Sequence, residues 1–164
     1  MKKIITATIL TLSFTLLAFG QKDADKTAAE NVINTMFTEM ANHNPDAIKA
    51  VYMPEALLVA LIKNKEGKTV TRFLTGETFS KGFAVRKNEL KEDMYEMKTE
   101  VFGDLALVHG RYVFFIDGKI SHCGVNAFHL VRTDAGWKIG GASSTIEPNG
   151  CTAKEKKRKV ENAK

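Results

Sequence analysis

The sequence lacks the signatures that announce chemistry outright. It has no phosphate-binding glycine loop, no nucleophile elbow and no histidine or cysteine spacing that matches a known metal site. It therefore implies no cofactor and no metal. Internal repeats are missing, and only the C-terminal tail is low in complexity. The body of the chain also lacks an excess of charge. The formal net charge is +5, but residues 1–20 carry two of the lysines and residues 152–164 sum to +4, which leaves 21–151 at −1. A nearly neutral body is no surface for nucleic acid. The tail motif "KEKKRKV" resembles a nuclear-import signal. In an exported chain that signal would have no compartment to act in, and residues 152–164 read as a solvated, disordered basic tail.

Long apolar runs are scarce too. The run Ile4 to Leu17, behind Lys2 and Lys3, is short for a membrane span. With Ala18 and Gly20 at small-residue positions, it reads as a secretory signal peptide over residues 1–20. No cysteine follows the cut, which argues against a lipid anchor. The mature protein is expected in a periplasm or outside the cell, without a stable membrane anchor. Residues 21–27 are polar and read as a flexible N-terminus.

What is present is periodicity. Ala29, Val32, Ile33, Met36, Phe37 and Met40 recur at helical steps and make one core face. Asn44, Pro45 and Asp46 start a short second helix as cap, first residue and dipole partner. Residues 56–62 and 69–75 read as a hairpin. Thr75 caps a short helix with Phe79 and Phe83 on one side. Four strands follow, at about 90–102, 104–116, 119–132 and 137–147. Helices near the front and a strand meander behind predict an α+β fold: one curved antiparallel sheet with the helices on its inner side.

Asp117–Gly118 marks a two-residue hairpin turn and sets Ile116 opposite Lys119. An unbroken register then pairs Val113 with His122, Arg111 with Gly124 and His109 with Asn126. In the next hairpin it pairs Asn126 with Ser143, Gly124 with Thr145 and His122 with Glu147. Opposed residues share a face. That face would carry Phe128, Leu130, Trp137 and Ile139 at one end. The other end would carry His109, Arg111, His122, Asn126, Ser143, Thr145 and Glu147. This is the make-up of a small-molecule pocket, and a single bulge would undo it. The opposite face would carry Ala106, Val108, Tyr112, Phe114, Val125, Ala127 and Val131. It would serve as a homodimer surface or pack under the chain's own termini. Cys123 and Cys151, linked through the turn "EPNG", can form a disulfide in an oxidising compartment or remain two buried thiols.

The stretch "GDLALVHGRYVFFIDGKISHCGVNAFHLVRTDAGWKI" (103–139), with "MPEALLV" (53–59) and Cys151, resembles the nuclear transport factor 2-like superfamily. The likeness includes its polyketide cyclase-like and ketosteroid isomerase-like proteins, and small exported bacterial members above all. It covers residues 28–151, which read as one domain. It implies a cystatin-like cone of curved sheet and helices around a cavity, often as a dimer.

Two functions follow. As a binder, the protein would hold a polar or anionic head with His109, Arg111, His122 and Asn126, and an apolar body with Phe128 and Trp137. Ser143 and Thr145 complete the set. As an enzyme, it would be a cofactor-independent isomerase, dehydratase or hydrolase. His122 would then be general acid or base, oriented by Glu147 or Asn126, with His109 or Arg111 stabilising charge. The catalytic carboxylate of isomerase-like relatives has no clear counterpart, because Asn126 stands where it is first sought.

Overall fold

The structure, a computed structural model, describes residues 23–64 and 66–158. The expected signal peptide lies outside the described residues. Helix α1 runs over 23–41, so residues 23–27 are helical rather than loose. It buries Ala29, Ile33, Met36, Phe37 and Met40, the face that the periodicity predicts. Helix α2 (Pro45–Ala50) begins as expected, with the Asn44 side chain accepting from the Ala47 amide and Pro45 in the first turn. Helix α3 (Gly76–Ala84) is capped by Thr75, whose hydroxyl accepts from the Thr78 amide at 3.1 Å.

The strands are β1 (Tyr52–Lys63), β2 (Thr69–Thr75), β3 (Leu90–Phe102), β4 (Leu105–Ile116), β5 (Lys119–Thr133) and β6 (Gly136–Ile146). They form one curved sheet in the order β2-β1-β6-β5-β4-β3. The fold is α+β as predicted, but the sheet is mixed rather than antiparallel, because β1 pairs parallel to β6. β1 also starts earlier than its apolar run suggests. Pro54, which has no amide to donate, falls in the irregular stretch between Tyr52 and Leu57 where the β1–β6 register shifts. The helices cover the inner face of the sheet, and most of the core lies between them.

Two bulges overturn the expected register. The Asp117–Gly118 turn forms as predicted, with both residues at positive φ and Ile116 opposite Lys119. Then Ser121 bulges: Phe115 pairs with Ile120 but Phe114 pairs with His122. From there Tyr112 faces Gly124, Gly110 faces Asn126 and Val108 faces Phe128. Gly140 does the same in β6, so that Leu130 pairs with Ile139 but Phe128 pairs with Ala142. A one-residue slip moves a strand's side chains to the other face. Ala106, Val108, Tyr112 and Phe114, expected on an outer dimer surface, are therefore core residues under the helices.

A second, smaller core lies on the outer face: Val113, Phe115 and Cys123, with Tyr95, Ile120 and Cys151. The chain after β6 covers it. Cys123 and Cys151 are joined in a disulfide. Residues 152–158, expected to be disordered, instead form a packed strap containing a single 3-10 turn, Glu155–Lys157. The fully buried Glu155 anchors it. Its carboxylate accepts from Arg111 Nε at 2.6 Å, from the Thr152 amide at 2.6 Å and from the Tyr95 hydroxyl. In return the Thr152 hydroxyl accepts from the Glu155 amide, which completes a reciprocal capping box. Burial alone would raise this carboxyl, but the cover is one turn thick. The bonds from Arg111, Tyr95 and Thr152 outweigh burial and bring it down to about 2. Arg158 adds an ion pair to Asp93 and lies over the Tyr95 ring.

Candidate functional site

A cavity of about 390 Å³ opens between the inner sheet face and the helices, within the size range of small-molecule sites. Its apolar wall comes from α1 (Met36, Phe37, Met40), from α3 (Phe79, Phe83) and from Leu58, Phe114 and Phe128 on the strands. The rings interlock edge to face, Phe37 against Phe128 and Phe79 against Phe83.

The polar groups converge from three strands. Glu92 of β3, Asn126 of β5 and Ser144 of β6 form a chain. The Ser144 hydroxyl donates to Asn126 Oδ1 at 2.6 Å, and Asn126 Nδ2 donates to Glu92 Oε1 at 2.6 Å. Glu92 keeps some accessible surface, on the cavity that it lines. Burial pushes its carboxyl up to about 7, although the Asn126 bond acts in the opposite direction. Tyr52 and Tyr112 are raised by their own burial and then by the Glu92 charge. The Tyr52 hydroxyl donates to Met36 sulfur, and the Tyr112 hydroxyl donates to the Thr145 carbonyl.

His122 also lines the cavity, stacked on Phe114 with ring centroids 5.0 Å apart and edge-on to Tyr112. Its Nδ1 lies 3.1 Å from the Ser121 hydroxyl. Burial lowers it to about 4, so the ring is neutral at neutral pH. Arg86 is an exposed cation on the cavity wall, 5.7 Å above the Phe83 ring.

Of the residues that the sequence nominated, the structure brings His122, Asn126 and Phe128 together in this cavity. Trp137 keeps its expected pairing with Arg132 and its place on the inner face but does not line the cavity, and the bulges take the others elsewhere. His109 and Ser143 line a shallow hollow on the outer sheet face. Arg111 is also outside, bound to Glu155. Thr145 uses its hydroxyl to accept from the Val125 amide. Glu147 bridges back to Cys123 and lines a surface hollow with Lys63 and Asn64, so it does not back His122. Trp137 is core, with Arg132 4.4 Å above its ring and its indole N–H without a partner among the described residues.

Sequence reasoning missed Glu92, Ser144 and Tyr112. Glu92 left a signal: it shares the alternation phase of the buried Leu90 and Met94, and a carboxylate in a core phase is the exception worth following. Ser144 and Tyr112 left none, since their faces are set by the bulges. Among the described residues, no group of three or more His, Cys, Asp or Glu is placed to hold a metal, and no helix is long and apolar enough to cross a membrane.

No protein-family profile and no curated protein matches the chain. Solved structures do match. An NTF2-like protein with a cystatin-like fold from Novosphingobium aromaticivorans aligns at TM-score 0.59 and 13% identity, covering 90% of this chain and 93% of that one. An NTF2-like protein from Cytophaga hutchinsonii aligns at 0.57 and 15%, covering 71% and 93%. A candidate dehydratase of the NTF2-like family from Streptomyces avermitilis aligns at 0.59 and 13%, covering 76% and 96%. At these identities the likeness is one of fold. The chain has the nuclear transport factor 2-like, cystatin-like fold that its sequence resembles.

Proposed function

We propose that this is an exported protein that binds a small molecule in the cavity between helices and sheet. The observation that carries the reading is the pairing of a largely apolar wall with one hydrogen-bonded polar chain, Glu92–Asn126–Ser144, in a cavity of about 390 Å³. A filled core would have no use for three polar side chains in its interior, because each costs desolvation energy. The Cys123–Cys151 disulfide is compatible with an oxidising, exported location. Native mass spectrometry of the purified protein, before and after denaturation, tests this. A small molecule retained only in the native spectrum supports the reading. Failure to retain or take up any small apolar compound, with the fold intact, overturns it.

A second reading is favoured by one specific group. Glu92 sits near pH 7 in its titration and opens on the cavity, which suits a general base or acid. His122, lowered to about 4, is the weaker base of the two. Abstraction of a proton from a carbon beside a carbonyl and its return to another carbon would then give a cofactor-independent isomerisation; abstraction followed by loss of a β-hydroxyl, which takes up the proton and leaves as water, would give a dehydration. Deuterium exchange into a retained ligand, present with the wild type and absent with Glu92→Gln, would select catalysis over binding.

A further inference from the structure

We propose that the cavity takes a small organic cation, an amine on an apolar body, with Glu92 as its counter-ion. This rests on the reading of the cavity as a ligand site. The first observation is the charge of the wall. Among the described residues Glu92 is the only carboxylate that lines the cavity. Among the described residues no lysine, arginine or histidine forms an ion pair with it. A buried carboxylate without a cation is costly, and the group that would relieve it is positive.

The second observation is how the carboxylate is held. Asn126 donates to Oε1 and is itself fixed by Ser144. Neutral dipoles of this kind aim the carboxyl without cancelling its charge. The third is the ring lining. Phe37, Tyr52, Tyr112, Phe114 and Phe128 border the same space, and aromatic faces attract desolvated ammonium groups. The positive charge once expected inside, Arg111, is tied to Glu155 on the outer face. Among the described residues Arg86 is the one fixed cation in the lining; it is exposed and forms no ion pair with Glu92.

Three probes with one body separate the possibilities: 1-naphthylmethylamine, 1-naphthalenemethanol and 1-naphthaleneacetate, titrated into the full chain and followed by fluorescence anisotropy. The ammonium is expected to bind about tenfold or more tighter than the alcohol. Glu92→Gln should bring it down to the level of the alcohol, whose unchanged affinity shows that the variant is folded. Equal binding of amine and alcohol overturns the inference and leaves the cavity a ligand site. So does an amine preference that survives in Glu92→Gln. Tightest binding by the carboxylate, lost in Arg86→Ala, assigns an anionic ligand instead. If none of the three binds, the cavity reading falls together with the inference.

Discussion

Replacing Glu92 with glutamine should alter stability in a way that depends on pH. Glutamine keeps the size of the side chain and can still accept from Asn126, but it cannot ionise. Burial raises the folded carboxyl from 4.5 to about 7, whereas the unfolded chain keeps the ordinary value. Between these values the folded state holds more protons, so wild-type stability falls as pH rises. From about pH 5 to about pH 8.5 the loss is about 2.5 kcal/mol. This is an upper figure, because water in the cavity would soften the shift. His122 acts in the opposite sense. Its folded value is lowered from 6.5 to about 4, so the unfolded chain takes up a proton that the folded state refuses. Over the same interval it adds about 2 kcal/mol of stability as pH rises. The two nearly cancel in the wild type. Each single variant should therefore tilt the profile: Glu92→Gln gains on the wild type toward high pH, and His122→Gln gains on it toward low pH. Urea unfolding followed by the single buried tryptophan, Trp137, reads both. A Glu92→Gln stability profile parallel to the wild type across this range would refute the reasoning.

Other consequences concern the strap and the sheet. Glu155→Gln should cost about 2–3 kcal/mol in urea midpoints, because it leaves Arg111 facing a weakened acceptor. The Glu155 carboxyl is held at about 2, so the stability it adds is complete above about pH 4.5 and fades as pH falls toward 2; the acid limb of the wild-type profile should be blunted in Glu155→Gln. Reducing the disulfide opens a loop with a sequence separation of 28 residues, and the chain-entropy model puts the cost at about 3.5 kcal/mol; denaturation with and without reductant measures it. Gly124→Ala would place a Cβ 1.9 Å from the Thr145 carbonyl oxygen. It should cost about 3 kcal/mol or more and break the Tyr112–Thr145 hydrogen bond, visible as a lowered melting temperature.

Local chemistry made much of this protein legible before any tertiary contact was known. The 3.6-residue recurrence from Ala29 to Met40 identified the buried face of α1. Asn44 and Thr75 announced helix starts, since short polar side chains satisfy amides that a helix leaves open. Asp117–Gly118 marked its turn because both positions require positive φ. The ends of β3 to β6 followed within a residue or two, and Cys123 meets Cys151 across the turn that joins them. Only the tertiary structure decided which face each strand presents. Side chains alternate with a period of two, so one bulged residue inverts all that follows; Ser121 carries no local mark of bulging, and the Gly140–Gly141 pair inside β6 is compatible with a bulge without fixing where it falls. That inversion sent Arg111 outward to Glu155 and turned Tyr112 and Ser144 inward. The parallel β1–β6 pairing joins segments some 80 residues apart, which no local pattern encodes. Glu92 lay between these cases. Its phase could be read from Leu90 and Met94, but its environment could not: burial raises the carboxyl against the opposing Asn126 bond, and Glu92, Asn126 and Ser144 meet only once three strands are paired in their bulged register.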